Sequence, residues 1–160
     1  SAAGGALRRP DVAAFAGPFD AGAWSGGTLH PRERLRVLIV EDDPESANAL
    51  GLALAMAGFS SVTARDGTVA LELAHQHLPH AVILDLGLPP RGGLAVARAF
   101  RDDPSLAPAR IIALTGFDTQ RHRAAASAAG IDEYLVKPGQ IDQIVAAMQA
   151  VRAAELARGA

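Results

Sequence analysis

Three acidic side chains stand where predicted strands end, and their chemistry suggests a site for a divalent cation. Glu41 and Asp42 follow the apolar run VLIV, and Asp85 follows the apolar run AVIL. Because carboxylates held within a few ångströms of one another repel, we expect each of them to raise the pKa of its neighbours. A hard divalent cation removes that conflict. Few protein ligands with room for water and phosphate oxygens suit Mg²⁺ better than Ca²⁺.

Two more polar residues follow the last two predicted strands. Thr115 comes after RIIAL and Lys137 comes after EYLV. Lys137 is the only lysine in a chain whose Lys and Arg together number 15, which suggests a position where a compact ammonium cannot be exchanged for a planar guanidinium. An ammonium and a hydroxyl that face carboxylates and a cation supply donors for a tetrahedral anion. Such a set is typical of phosphoryl transfer to an aspartate.

Alternating strands and helices must position these residues. The predicted strands cover residues 35–40, 60–64, 81–84, 110–114 and 133–136, and the predicted helices cover residues 44–57, 67–77, 94–101, 119–129 and 141–156. Pro44 fits a first helical turn, and Gly58 and Gly130 fit positions just after a helix. Alternating units with continuous apolar strands predict an α/β fold, a doubly wound parallel sheet with helices on both faces. In such sheets the site lies beyond the carboxyl ends of the strands.

The first 34 residues differ in composition from the rest. Proline and glycine interrupt every apolar run there, so we predict that residues 1–34 are a linker or N-terminal extension, although they carry Phe15, Phe19 and Trp24. Residues 35–157 are predicted to form one domain. The chain begins with Ser1 rather than Met, which favours a piece of a longer protein.

The composition excludes several classes of protein. The net charge is −2 at pH 7 and gives no basic field for nucleic acid. Cysteine is absent, so disulfides, thiol catalysis and zinc–thiolate sites are excluded. No run approaches the ~20 uninterrupted apolar residues of a membrane span. We therefore expect a cytoplasmic domain that contacts neither nucleic acid nor membrane.

The segments that carry the candidate chemistry resemble a known family. VLIVEDDPESANAL, AVILDLGLPPRGGL, IIALTG and DEYLVKP are similar, in order and spacing, to the signature segments of the receiver domain of response regulators in two-component signalling. The resemblance covers about residues 35–151. It implies a flavodoxin-like sheet with strand order 2-1-3-4-5 and five helices. The run ALTGFDTQRHRAAASAAGIDEYLVKP is most similar to receivers attached to hybrid histidine kinases, although a stand-alone response regulator stays open.

The resemblance also implies a role for each candidate residue. Asp85 would accept the phosphoryl group, and Mg²⁺ would be bound by Asp85 together with the acids Glu41 and Asp42. Gly87 would bind the metal through its backbone carbonyl. Thr115 and Tyr134 would be the switch residues, and Lys137 would be the phosphate-binding lysine. The implied partners are a histidine kinase or a histidine phosphotransfer protein. The implied protein is a phospho-acceptor switch rather than an enzyme.

Two departures and several alternatives stand beside this interpretation. Gly92 occupies the place of a common acid after the acceptor, and Pro90 stiffens that turn; Gly116 stands where Ala is common. Asp42 or Asp43 could serve only as an N-cap ahead of Pro44. A phosphatase of the haloacid-dehalogenase type would need a second acid two residues after its nucleophilic Asp, where this chain has Gly87, so we reject it. A binding module that works without phosphorylation remains an alternative.

The first helix supplies a candidate docking face. We predict a core side formed by Ala49, Leu50, Ala53 and Leu54, and an outward side formed by Asn48, Leu52, Ala55 and Met56. Leu52 and Met56 lie one turn apart where a solvated helix would carry charged groups, and the small residues Gly51 and Ala55 would let a partner helix approach. We also expect Arg121 and Arg123 to form a solvated face. By resemblance, the fourth helix, fifth strand and fifth helix would serve homodimers or outputs.

Overall fold

The structure is a computed structural model that describes residues 35–88, 92–116, 120–137 and 141–159. The predicted extension 1–34 with its three aromatic residues, the Pro90 turn and the predicted helix start at Thr119 lie outside the described residues. No helix within the described part of the chain is both long and apolar enough to cross a membrane.

Within the described residues, five strands and five helices alternate, as predicted. The strands are β1 (Arg36–Val40), β2 (Ser60–Ala64), β3 (Ala81–Asp85), β4 (Arg110–Thr115) and β5 (Glu133–Val136). The helices are α1 (Pro44–Met56), α2 (Gly67–His77), α3 (Gly93–Asp102), α4 (Gln120–Ala128) and α5 (Ile141–Gly159). All neighbouring strands are parallel in the order β2-β1-β3-β4-β5, which confirms the predicted flavodoxin-like architecture.

The two faces of the sheet bury separate apolar clusters because side chains alternate along each strand. In β1, Leu38 and Val40 pack on the side of α2, α3 and α4, whereas Val37 and Ile39 pack on the side of α1 and α5. Phe100 of α3 is among the largest fully buried side chains of the first cluster. The continuous apolar strands therefore serve both layers of helices at once.

The predicted core side of α1 is partly wrong. Its buried residues are Ala47, Leu50, Gly51 and Leu54, whereas Ala49 is exposed and Ala53 is half-buried. Leu50 and Leu54 face the core as expected. The helix is nevertheless turned so that Ala47 and Gly51 accompany them, at the spacing i, i+3, i+4, i+7 of one helical face. Gly51 therefore lies on the inner side of α1 and does not belong to the outward face.

Candidate functional site

Neighbouring strands bring the acidic residues together. Val40 of β1 lies beside Leu84 of β3 in the parallel register, so Glu41 and Asp85, the next residues of each strand, end side by side. The Glu41 N–H donates to the Ala64 carbonyl at 2.9 Å, which ties the end of β1 to β2. The strand register thus sets the spacing of the two carboxyl groups before any side-chain contact is made.

Glu41, Asp42 and Asp85 form a compact acidic cluster. Each of the three offers a carboxylate oxygen, and these oxygens all lie within 4.8 Å of one another. Glu41 is buried, Asp42 is exposed, and the Asp85 side chain is 13% exposed. Three hard oxygen donors that are sheltered on one side and open to solvent on the other fit a hydrated divalent cation such as Mg²⁺.

Glu41 and Asp85 respond in opposite ways to this crowding. Burial, with a hydrogen bond and repulsion from Asp85, raises the pKa of Glu41 to about 8. Burial also opposes ionisation of Asp85, but the hydrogen bond to Glu41, the Gly87 N–H and the Lys137 ammonium outweigh it and lower the pKa of Asp85. The expectation that the acids raise one another's pKa is therefore right for Glu41 and wrong for Asp85.

The ammonium of Lys137 lies near both the buried Glu41 and the half-buried Asp85 carboxyl group. Its Nζ is 3.5 Å from Asp85 Oδ2 and 3.6 Å from Glu41 Oε1. The Lys137 N–H donates to the Thr115 carbonyl at 2.8 Å, which carries the hydrogen bonding between β4 and β5 one residue past Val136. The lysine is thus held by its backbone while its side chain, 32% exposed, reaches over the carboxylates toward solvent.

Gly87 lies against the candidate acceptor through its amide. Its N–H donates to Asp85 Oδ1 at 2.9 Å. A Cβ built on Gly87 would stand 3.4 Å from the same oxygen, an ordinary contact. This hydrogen bond orients Asp85 and leaves Oδ2 as the oxygen nearer to Lys137.

Thr115 and Tyr134 share one face of the sheet. Tyr134 lies beside Ala113 in the register of β4 and β5, and Thr115 is two residues after Ala113, so both side chains point to the same side. Thr115 is buried, whereas the half-buried Tyr134 ring packs against the core cluster of that side. The two candidate switch residues are therefore diagonal neighbours.

The guanidinium of Arg123 stacks over the Tyr134 ring, with its central carbon 4.8 Å from the ring centroid. Arg123 is exposed, as expected, but the prediction of a merely solvated face misses this contact. The two residues lie in different elements, α4 and β5, so no local pattern in the sequence could reveal it.

Asp43 acts as the helix cap that the sequence left open. Its Oδ2 accepts hydrogen bonds from the Ser46 backbone N–H at 3.2 Å and from the Ser46 hydroxyl at 2.6 Å. Asp42 belongs instead to the acidic cluster, where its backbone N–H donates to Glu41 Oε2 at 3.1 Å. The two adjacent aspartates therefore have different structural roles.

The outward face of α1 is exposed as predicted. Leu52 and Met56 are 53% and 83% exposed, Asn48 is exposed, and Ala55 is half-buried. Because α1 begins at Pro44, immediately after the acidic cluster, this face is on the helix next to the candidate site.

The fold and the site together match a known class of signalling domain. The family model of the response regulator receiver domain matches residues 37–149, so this chain belongs to the receiver-domain family of two-component systems. Receiver domains are phospho-acceptor switches and are generally not enzymes. They bind Mg²⁺ at an acidic pocket and interact with histidine kinases or phosphotransfer proteins.

Individual relatives agree with this assignment. The chain is 37% identical over 117 residues to the response regulator MprA of Mycobacterium sp. (strain KMS), which covers 73% of this chain and 50% of that protein. It therefore spans about half the length of the curated relatives that it matches.

Solved structures show the same fold. A putative response regulator from Chloroflexus aurantiacus aligns with a TM-score of 0.70 at 31% identity over 75% of this chain and 98% of that chain. The signal receiver domain of a signal transduction histidine kinase from Syntrophus aciditrophicus aligns with a TM-score of 0.69 at 25% identity, over 74% and 90% of the two chains.

Proposed function

We propose that this receiver domain takes a phosphoryl group onto Asp85 from a phosphohistidine of a histidine kinase or histidine phosphotransfer protein. The observation that carries the proposal is the position of the Lys137 ammonium, 3.5 Å from Asp85 Oδ2 and 3.6 Å from Glu41 Oε1. A cation in this position offsets the negative charge of an incoming phosphoryl group beside carboxylates.

In the proposed step an oxygen of the ionised Asp85 attacks phosphorus. The new P–O bond forms as the P–N bond to the donor imidazole breaks, and the ring nitrogen keeps the bonding electron pair and is protonated by solvent. The lowered pKa of Asp85 keeps the nucleophile ionised at neutral pH. The Gly87 N–H fixes Oδ1 and thereby orients the carboxylate for attack.

Mg²⁺ completes the charge balance of this site. We assign its binding to Glu41, Asp42 and Asp85, with the Gly87 carbonyl as a backbone ligand; when bound, the ion neutralises charge on the carboxylates and the phosphoryl oxygens. This assignment is supported by the three carboxylate oxygens, which all lie within 4.8 Å of one another. Asp42, which carries one of them, is open to solvent.

The phosphoryl group would act on Thr115 and Tyr134. A hydroxyl drawn toward a new anion vacates space on its face of the sheet, and Tyr134 is the diagonal neighbour that can use this space. Lys137, whose backbone N–H donates a hydrogen bond to the Thr115 carbonyl, would move its ammonium toward the same anion. The response would then reach α4, β5 and α5, the surface to which we assign homodimers or outputs.

We assign the protein donor to the outward face of α1, formed by Asn48, Leu52, Ala55 and Met56. We further assign residues 35–157 to the receiver and residues 1–34 to a linker or extension, in a cytoplasmic protein. The likeness to a receiver domain of a histidine kinase supports an origin in a hybrid histidine kinase. The likeness to response regulators supports the alternative, a stand-alone response regulator.

The test is the intact mass of the chain after incubation with acetyl phosphate. We expect a gain of one phosphoryl mass that requires Mg²⁺, disappears with a chelator and is absent from Asp85→Asn. Asp43→Asn is the matched control, because it removes an acid from the same edge while Asn keeps the helix cap. A gain that persists in Asp85→Asn would place the phosphoryl group on another residue, and a gain that ignores the chelator would contradict the assigned role of Mg²⁺. No gain in the unchanged protein would favour a binding module that works without phosphorylation.

A further inference from the structure

The first half of α4 is held to the domain by few buried groups. Among the residues that the structure describes in α4, only Ala126 is buried, and residues 120–124 are exposed. Its first turn carries Arg121, His122 and Arg123 and no acid, although the amino end of a helix disfavours positive charge. Positive charge at this place is therefore mildly unfavourable for the helix.

Arg123 makes a contact with the aromatic ring of Tyr134. Its guanidinium carbon lies 4.8 Å from the ring centroid, within the range in which a cation is attracted to the face of an aromatic ring. The half-buried ring also packs against the core cluster. Its position is therefore set by the core and by a side chain from α4.

The same ring is next to the buried hydroxyl on which the proposed switch depends. Thr115 and Tyr134 are diagonal neighbours on one face of β4 and β5. Any movement of the ring toward Thr115 changes the ring's position relative to Arg123, whose backbone belongs to α4. The cation–π contact then weakens unless the Arg123 side chain or α4 moves with the ring.

We propose that Arg123 is a positioning residue for Tyr134: its guanidinium holds the ring in the arrangement of the unphosphorylated domain and so opposes the response to phosphorylation. This proposal rests on the proposed function, because it takes Tyr134 to be a moving part of the switch. In this proposal Arg123 acts through its contact with the tyrosine ring.

Tyr134 is the chain's only tyrosine, so tyrosine labelled with ¹³C in its ring gives an NMR reporter at one site. The experiment follows this signal in the full chain while beryllofluoride is added with Mg²⁺. It compares the unchanged protein with Arg123→Gln, with Arg123→Lys, which keeps the charge, and with Arg121→Gln, which removes an exposed arginine from the same helical turn.

Arg123→Gln should move the ring signal of the free protein toward its beryllofluoride position. It should also lower the half-saturating beryllofluoride concentration by about two- to fivefold, as expected for loss of one exposed cation–π contact. Arg123→Lys keeps the charge and should behave largely like the unchanged protein in both respects. Arg121→Gln should also resemble the unchanged protein. Equal behaviour of Arg123→Gln and Arg121→Gln would overturn the proposal. If the ring of the unchanged protein ignores beryllofluoride, the proposed switch is wrong, and the role of Arg123 is wrong with it.

Discussion

The carboxyl groups of Glu41 and Asp85 meet at the ends of two neighbouring strands, with a carboxylate oxygen of each within 4.8 Å of the other. Glu41 is the more buried partner, and its pKa is raised to about 8, whereas that of Asp85 is lowered. The two carboxyl groups therefore differ in protonation. Glu41 retains a proton in the metal-free domain at neutral pH, whereas Asp85 is the ionised partner beside Lys137.

This division predicts how the stability of the metal-free domain depends on pH. The folded pKa of Glu41 lies above its ordinary value of 4.5, so between about pH 4.5 and 8 the folded state binds the proton that the unfolded state releases. The free energy of unfolding should therefore fall as pH rises through this window, by at most about 1.4 kcal/mol per pH unit. Glu41→Gln should flatten this decline.

Urea unfolding at several pH values, with a chelator present, measures the effect. Asp43→Asn is the control, because it removes an exposed acid near the site that is not assigned to the metal, while Asn keeps the helix cap. Adding Mg²⁺ should restore stability at the alkaline end, since binding favours the ionised carboxylates. An unchanged pH slope in Glu41→Gln would mean that this carboxyl group is ionised throughout the window.

A second prediction concerns the lysine at the site. Lys137→Arg keeps the charge but places a larger, planar group where Nζ lies 3.5 Å from Asp85 Oδ2. We expect this variant to fold and to be phosphorylated by acetyl phosphate, yet to lose the shift of the Tyr134 ring signal on addition of beryllofluoride. Thr115→Ala should share this phenotype, because it removes the buried hydroxyl that the anion would attract.

Intact mass and the Tyr134 signal separate the two parts of that prediction. Gly116→Ala is a suitable control, since a Cβ built there meets no atom within 4 Å. If both Lys137→Arg and Thr115→Ala show the full ring shift, the coupling between phosphorylation and Tyr134 does not run through these residues.

A third prediction tests why a glycine begins α3. A Cβ on Gly93 would stand 2.7 Å from the Asp85 carbonyl oxygen and 2.9 Å from Leu86 Cα, both in the backbone that carries the acceptor. Gly93→Ala should therefore lower the free energy of unfolding by about 1–3 kcal/mol, as overpacking commonly does. Gly116→Ala, where space is open, should change it far less. Urea denaturation decides, and equal stability of the two variants would show that α3 can shift to admit the methyl group.

Much of this architecture can be predicted from the sequence because strands and helix caps carry strong local signals. The runs VLIV and AVIL are apolar and rich in β-branched residues, and each is followed by one or two of the acids that the site requires. Gly92 shows how a departure from the family pattern has a local cause. Its φ of 80° is one that L side chains rarely adopt, so glycine suits the position just before α3.

The rotation of α1 and the contact of Arg123 could not be predicted in the same way. Ala47 and Ala49 are the same residue type, so the alanine-rich pattern cannot decide which of them faces the sheet, and the structure buries Ala47. The Arg123–Tyr134 contact joins two elements that only the folded sheet brings together. The opposite pKa shifts of Glu41 and Asp85 depend on burial and on the reach of Lys137, which no spacing in the sequence encodes.

The last prediction concerns the donor protein. Leu52 and Met56 lie one helical turn apart on the outward face of α1 and are 53% and 83% exposed. If a helix of the donor packs there, Leu52→Glu or Met56→Glu should place a charge in an apolar contact and slow transfer from a phosphohistidine protein about tenfold or more, the effect of roughly 1.4 kcal/mol. Acetyl phosphate needs no docking, so its reaction with Asp85 should be unchanged.

Leu78→Glu is the matched control for the added charge. Leu78 is 49% exposed and lies between α2 and β3, at the amino ends of the strands and away from the acidic cluster. Transfer rates measured with the same donor for all three variants decide the matter. Rates that fall equally in Leu78→Glu would reflect added negative charge alone, and rates that fall in none would place the donor on another surface.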